Sequence, residues 1–145
     1  MYQRILLAYD GSASGQQALL ECHEIAQWSG SELALIAVMP LPLNNLGLEG
    51  SIYDESLQDS EKERYQAILD TGLHKRGDAG LKAVGHVVTG DAVSEITLYA
   101  RQIKADLIVV GHKHLDGWAA RWWRGSVSKA LIEQSPCSVL VVITP

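Results

Sequence analysis

The stretch Asp106–Ser128, DLIVVGHKHLDGWAARWWRGSVS, decides how the chain is organised. It begins with a continuous apolar run, continues through a polar segment that opens at Gly111, and ends with Gly125 and Ser126 at the predicted start of a helix. A strand, a glycine-bearing loop and a helix N-terminus in this order can direct several backbone N–H groups towards one phosphate. The segment therefore predicts an anion-binding loop at the end of a buried strand.

Continuous apolar runs of strand length recur on both sides of this segment, at Ile5–Tyr9, Leu33–Met39 and Val139–Ile143. Runs without polar alternation are typical of strands that are covered on both faces, as in a parallel sheet. The predicted strands are Arg4–Tyr9, Glu32–Val38, Leu81–Thr89, Ala105–Val110 and Ser138–Ile143.

Amphipathic segments separate these strands, and turn residues bound them. Asp10-Gly11-Ser12 is a turn and helix-cap sequence, and Gly30 is a helix stop. Gly77 and Gly80 are expected to break the second helix. The predicted helices run from the first turn to about Ser29, from roughly Tyr53 to Lys75, over Ala92–Ile103, and from about Ser126 to Gln134.

The order of these elements, β-α-β-α-β-α-β-α-β, predicts right-handed crossovers and one α/β domain over residues 1–145, with helices on both faces of a five-stranded parallel sheet. Ligands of such sheets bind beyond the carboxyl ends of the strands, where the strand order reverses. If the first strand neighbours the fourth, the site is formed by Asp10 and its turn, by 38–40, and by Gly111 onward.

The composition excludes several classes of protein. A net charge of −5 and the lack of a Lys- or Arg-rich run argue against nucleic acid as a partner. No apolar run approaches the roughly 18 residues of a membrane span, and the N-terminus does not read as a signal peptide. Cys22 and Cys137 are far apart and suggest neither a disulfide framework nor a zinc site. We expect a cytoplasmic protein with reduced thiols.

Each candidate site residue also has a purely structural interpretation. Asp10 would cap the first helix, Ser126 and Ser128 would satisfy free N–H groups at a helix start, and Gly111 and Gly125 would only permit tight turns.

The histidines and tryptophans of the central segment leave further alternatives. His112 and His114 are either a metal pair or, more in keeping with the lack of a third ligand, solvated loop residues. Trp118, Trp122 and Trp123 cover a pocket, form a dimer contact or, as the favoured interpretation, pack the loop onto its own domain. The segment Leu41–Gly50 reads as a long loop of the kind that often covers a site.

The chain resembles the universal stress protein family. The resemblance is carried by RILLAYDGS at 4–12, ADLIVVG at 105–111, GSVSKALIEQSPCSVLVV at 125–142, and the order of the elements. It implies a Rossmann-like fold of the adenine nucleotide alpha hydrolase-like type with strand order 3-2-1-4-5. It also implies a homodimer in which Ser138–Ile143 pairs with the same strand of a second copy.

The resemblance extends only in part to the family's ATP-binding pattern of Gly, two residues, Gly, nine residues, and Gly-Ser or Gly-Thr. This chain keeps Gly111 and Gly125-Ser126, but it has His114 at the second glycine and ten residues, Leu115–Arg124, before Gly125. The branch that does not bind ATP also lacks the glycines and often has a tryptophan near Trp118. The imidazole of His114 would either obstruct the phosphates or donate to one of them.

By the resemblance, Asp10 and the backbone of Val38 hold adenosine, while Gly111, Gly125, Ser126 and Ser128 hold phosphates. The ligand is ATP or AMP, and Mg²⁺ would accompany ATP. The expected cofactor-binding residues are Ala8, Tyr9, Asp10, Val38, Met39, Gly111, His112, His114, Gly125, Ser126, Val127 and Ser128.

Two functions follow from these observations. The first is a stress-response protein that binds an adenine nucleotide as a regulatory ligand. The alternative is a protein-interaction module without nucleotide, which His114 and the tryptophan-containing loop favour. The residues form no convincing catalytic set and no P-loop, so at most slow ATP hydrolysis is expected.

Overall fold

The computed structural model describes residues 2–10, 12–39, 55–78, 83–113 and 127–144. Within these residues strands and helices alternate along the chain. The strands are β1 (Arg4–Ala8), β2 (Glu32–Met39), β3 (Ala83–Thr89), β4 (Leu107–Lys113) and β5 (Ser138–Thr144). The helices are α1 (Ala13–Ser29), α2 (Glu55–Asp78), α3 (Ala92–Ile103) and α4 (Val127–Gln134).

Some of the sequence-based expectations fall on residues outside these ranges. They concern the Leu41–Gly50 loop, the tryptophans at 118, 122 and 123, and three of the expected ligand-binding residues, namely His114, Gly125 and Ser126.

The five strands form one parallel sheet in the order β3-β2-β1-β4-β5, which confirms the predicted fold class and strand order. The order reverses beside β1, where Ala8 pairs with Ile36 of β2 on one side and with Val110 of β4 on the other. The helices that come after β1 and β4, α1 and α4, cover opposite faces of the sheet, so a crevice is expected at the carboxyl ends of these strands.

Each face of the sheet buries its own apolar cluster. Leu7 and Leu35 face one cluster, to which α1 and α2 contribute, and Leu6 and Ile36 face the other, to which α3 and α4 contribute. Leu6 and Leu7 are both 0% exposed although they point in opposite directions. Burial on both faces explains why the central strands read as continuous apolar runs rather than as alternating ones.

Strand β4 is longer than the sequence indicates. The predicted end at Val110 is wrong, because β4 continues to Lys113 by pairing Gly111 with Val142 and His112 with Ile143 of β5. Gly111 and His112 therefore belong to a strand and do not open the following loop. The pairing is with a strand that follows much later in the chain, so a local pattern does not reveal it.

Helix α2 also passes its predicted end at Lys75 and includes Gly77, which was expected to break it. A glycine inside a helix costs only about 1 kcal/mol relative to alanine, which the rest of a long helix can absorb. Gly72 in the same helix has a packing role. A Cβ atom there would lie 2.8 Å from Cε1 of Tyr9, so glycine allows the buried tyrosine ring to pack against α2.

Helix α1 has the cap and the stop that the sequence predicts. The hydroxyl oxygen of Ser12 accepts a hydrogen bond from the backbone N–H of Gly15 at 3.0 Å, which makes Ser12 the N-cap. The helix ends at Gly30, whose φ of 65° lies in the left-handed region that glycine adopts without a steric cost.

Helix α3 is capped by Asp91, whose carboxylate accepts hydrogen bonds from the backbone N–H and the hydroxyl of Ser94 at 3.0 and 2.9 Å. The backbone hydrogen bond is the main reason, and the hydroxyl the second, that the pKa of Asp91 lies below its ordinary value of 3.8. Because folding lowers this pKa, the stabilisation is complete above the ordinary value and is lost as the pH falls through the folded-state value.

We expect Asp91→Ala to lower the free energy of unfolding by about 1 kcal/mol near neutral pH, because α3 loses its N-cap. The difference from the wild type should shrink as the pH falls below 3.8. Urea unfolding across this pH range measures both effects. Asp91→Asn is the matched control, since asparagine caps a helix without titrating. A difference between wild type and Asp91→Ala that stays constant in acid would contradict this account.

The described residues also bear on the membrane and cysteine expectations. No helix among them is long and apolar enough to cross a membrane. Cys22 is buried in α1 and Cys137 is partly buried before β5, and the two do not form a disulfide. Burial raises the pKa of the Cys137 thiol, which disfavours the reactive thiolate at neutral pH.

Candidate functional site

A cavity of about 700 Å³ opens at the carboxyl end of the sheet, at the reversal of strand order. Its volume lies within the roughly 300–1,000 Å³ of small-molecule sites. The cavity is lined by Ala8, Tyr9, Asp10, Ser12, Ala13, Ser14, Gly15, Val38, Tyr65, Ala92, Ile96, Val110, Gly111, His112, Val127 and Ser128.

A smaller cavity of about 260 Å³ lies at the amino end of the sheet. Its charged side chains already have partners. The Arg4 guanidinium donates to Glu32 at 3.3 Å and to the carbonyl of Ile103 at 2.9 Å. The larger cavity is therefore the better candidate for a functional site.

The turn between β1 and α1 places a carboxylate in the wall of the larger cavity. Oδ1 of Asp10 accepts hydrogen bonds from the backbone N–H of Ser12, at 2.9 Å, and from the Ser12 hydroxyl. Asp10 thus supports the cap residue and does not cap the helix itself. Its negative charge lies at the N-terminus of α1, so this end of the cavity disfavours an anion and favours a hydroxyl donor.

Gly111 brings β4 and α1 into direct contact. A Cβ atom at Gly111 would lie 2.3 Å from the carbonyl oxygen of Ser14 and 2.9 Å from the nitrogen of Gly15. Glycine is required here because the backbone of α1 leaves no room for a side chain. The interpretation of Gly111 as a residue that only permits a tight turn is therefore wrong.

His112 and Ser128 form a second polar region in the lining of the cavity. Nδ1 of His112 lies 3.4 Å from the hydroxyl oxygen of Ser128, which is in the first turn of α4 and only 8% exposed. Both residues lie on the face of the sheet that α3 and α4 cover. No three His, Cys, Asp or Glu side chains in the described part of the chain are arranged to hold a metal ion.

The cavity brings together most of the expected cofactor-binding residues that the structure describes. Ala8, Tyr9, Asp10, Val38, Gly111, His112, Val127 and Ser128 line it. Met39 does not line it. This residue is 6% exposed, and its carbonyl accepts a hydrogen bond from the N–H of Gly90 at 3.0 Å.

Several lining residues were not predicted. Tyr65 of α2 and Ile96 of α3 were not among the expected cofactor-binding residues, yet both reach the cavity. Ala92, at the start of α3, lines it as well. The turn Gly90-Asp91 could have indicated from the sequence that the start of α3 reaches the site. It follows β3, whose carboxyl end lies on the same side of the sheet as those of β1, β2 and β4.

The cavity therefore has three kinds of wall. The carboxylate of Asp10 accepts hydrogen bonds, and the His112–Ser128 pair can donate one. Apolar side chains, including Val38, Ile96 and Val110, line the cavity as well. This arrangement suits a ligand with a flat apolar part, hydroxyl groups and an anionic end.

A doubly wound parallel sheet with a ligand-sized cavity at its switch point defines a Rossmann-like α/β domain. The chain belongs to the universal stress protein family, whose family model matches residues 1–142. It is 35% identical to a universal stress protein of Thermus aquaticus, over 98% of this chain and 99% of the other. It is 32% identical to one of Methanocaldococcus jannaschii, over 100% and 84%.

Solved structures share the fold over nearly the whole chain. A family member from Burkholderia pseudomallei has a TM-score of 0.75 at 26% identity, covering 97% of this chain and 96% of the other. A universal stress protein in complex with cAMP has a TM-score of 0.74 at 24% identity, covering 99% and 98%. One from Arabidopsis thaliana with AMP bound has a TM-score of 0.71 at 16% identity, covering 99% and 92%.

Proposed function

We propose that this protein is a cytoplasmic, homodimeric regulator of the stress response that binds an adenine nucleotide, ATP or AMP, in the cavity at the carboxyl edge of the sheet. One observation carries the proposal: a single cavity at the switch point unites the carboxylate of Asp10, apolar walls, and the His112–Ser128 pair. An adenine nucleotide has groups that suit each of these, namely an apolar base, a ribose with hydroxyls, and phosphate.

Two proteins of the same fold support the choice of ligand. One was crystallised in complex with cAMP and the other with AMP bound. Both ligands are adenosine monophosphates, so adenosine and one phosphoryl group are the parts that they share.

In the proposed complex the ribose hydroxyls donate to Oδ2 of Asp10, since both hydrogen bonds from Ser12 end on Oδ1. The adenine packs between Val38 and Ile96. The phosphate lies towards the start of α4, where Ser128 lines the cavity, and Gly125 and Ser126 are expected to contribute there. If the ligand is ATP, Mg²⁺ would be bound to its phosphates and would enter the cavity together with them.

Thermal unfolding of nucleotide-stripped protein with adenosine, AMP, ADP and ATP, with and without Mg²⁺, tests this function. A ligand at a hundred times its Kd should stabilise the folded state by about 2.7 kcal/mol. That stabilisation corresponds to a Tm increase of roughly 5–10 °C for a chain of this length. GMP is the matched control and should give a smaller shift. If no adenine compound raised the Tm, the alternative function as a protein-interaction module would replace this one.

The homodimer is proposed to form through β5. In the described part of the chain β5 pairs with β4 alone, so its other edge presents backbone N–H and C=O groups. The strand reads SVLVVIT, without a charge or a proline, and Ile143 is 62% exposed. Monomeric proteins usually protect such an edge, and pairing with β5 of a second copy would do so here.

We expect Ile143→Lys to convert the dimer to a monomer, because two lysines would be brought into one apolar interface. Light scattering after size-exclusion chromatography measures the mass. Val84→Lys is the matched control, since Val84 is 63% exposed on β3 at the opposite edge of the sheet. A monomeric wild type, or a dimer that tolerates Ile143→Lys, would refute this interface.

A further inference from the structure

His112 is distinctive among the lining residues that the structure describes. It is the only one of them whose side chain can take up a positive charge, and Asp10 is the only one with a carboxylate. Asp10 precedes α1, whereas His112 faces Ser128 of α4. An anionic group of the ligand is therefore favoured beside His112 and disfavoured beside the carboxylate of Asp10.

The contact between His112 and Ser128 leaves a hydrogen-bond donor available in either tautomer. If Nδ1 accepts the hydroxyl hydrogen of Ser128, Nε2 carries the ring hydrogen and can donate it to the ligand. If Nδ1 carries the hydrogen and donates it to Ser128, the serine hydroxyl can donate its own to the ligand. One hydrogen is thus left to donate in both arrangements.

The length of this contact also favours a ligand. At 3.4 Å the Nδ1–Oγ distance is at the long end for a hydrogen bond, so little energy is lost when either group turns to a better acceptor. A phosphoryl oxygen is such an acceptor, because hydrogen bonds to a charged group are shorter and stronger than those between neutral groups.

We propose that His112, together with Ser128, is the specificity-determining element that makes this site prefer a nucleotide to its nucleoside. The pair donates one hydrogen bond to a phosphoryl oxygen next to the ribose. Asp10 contacts only the ribose and does not discriminate between the two ligands. This inference rests on the proposed function, since it takes the cavity to be an adenine nucleotide site.

The test measures the Kd of adenosine and of AMP by calorimetry for the wild type and for His112→Ala. The alanine variant should lose about tenfold or more in AMP affinity, as expected for a hydrogen bond to a charged group, and keep its adenosine affinity within about twofold. His112→Gln, whose amide can replace Nε2–H, should recover part of the loss. His86→Ala is the control, because His86 stacks on Tyr99 outside the cavity and its loss should leave both Kd values unchanged.

The outcomes separate this inference from the proposed function. If the wild type binds AMP and His112→Ala keeps the wild-type ratio of the two Kd values, the selectivity role of His112 is wrong while the nucleotide site stands. An equal loss for adenosine and AMP would give His112 a structural role and would also overturn the inference. If the wild type binds neither ligand, the proposed function fails and this inference fails with it.

Discussion

Replacing Gly111 by alanine is expected to lower the free energy of unfolding by about 3 kcal/mol or more. The added methyl carbon would lie 2.3 Å from the carbonyl oxygen of Ser14 and 2.9 Å from the nitrogen of Gly15. Both neighbours are backbone atoms, so no change of side-chain rotamer relieves the overlap. Either β4 must move within the sheet or the first turn of α1 must move away from it. Urea unfolding of the purified variant measures the loss.

Gly30→Ala separates this effect from the general cost of replacing a glycine. Gly30 has a φ of 65°, and a Cβ atom there would meet nothing within 4 Å. Its replacement should therefore cost only the strain of the left-handed conformation, about 1–2 kcal/mol. If Gly111→Ala lost no more stability than Gly30→Ala, β4 and α1 would not be in the close contact described above.

Replacing Asp10 by alanine is expected to weaken adenosine and AMP binding alike, by roughly ten- to a hundredfold. The proposed hydrogen bonds from the ribose hydroxyls end on a charged oxygen, and such bonds contribute about 1.5–3 kcal/mol each. Because both ligands carry the ribose, the ratio of their Kd values should stay near that of the wild type. Calorimetry below the melting temperature of the variant measures the Kd of adenosine and the Kd of AMP.

Asp106→Ala is the matched control for this experiment. The Asp106 carboxylate also accepts two hydrogen bonds, from the backbone N–H groups of Gln3 and Arg4 at 2.7 and 3.0 Å. It lies at the amino ends of the strands, whereas the larger cavity lies at their carboxyl ends. Its loss should reduce stability and leave affinity unchanged. Equal loss of affinity in the two variants would mean that Asp10 acts through stability alone.

The fold could be predicted from the sequence because burial on both faces leaves a local trace. Neighbouring residues such as Leu6 and Leu7 face different helical layers, so both must be apolar, and the strand reads as one continuous run. The extent of β4 could not be predicted in this way. Residues Gly111–Lys113 become a strand by pairing with β5, and only the three-dimensional register specifies that pairing.

The site was predictable where the rule for parallel sheets applies directly. Asp10 follows β1, Val38 and Gly111 lie near the carboxyl ends of β2 and β4, and all three line one cavity there. Tyr65 was missed because its approach depends on how α2 packs against the sheet. The sequence also did not reveal why position 111 must be glycine. The backbone that leaves no room for a side chain there belongs to Ser14, which is distant in the sequence.

Amide chemical-shift mapping of uniformly labelled, nucleotide-stripped protein during an AMP titration tests whether AMP binds in the larger cavity. We expect saturable shifts that cluster at Asp10, Val38, Gly111 and Ser128, while Val84 and Arg4, beside the smaller cavity, stay unchanged. Saturable shifts that cluster around Arg4 and Val84 instead, or no shifts at any AMP concentration, would contradict the assignment of this cavity as an adenine nucleotide site.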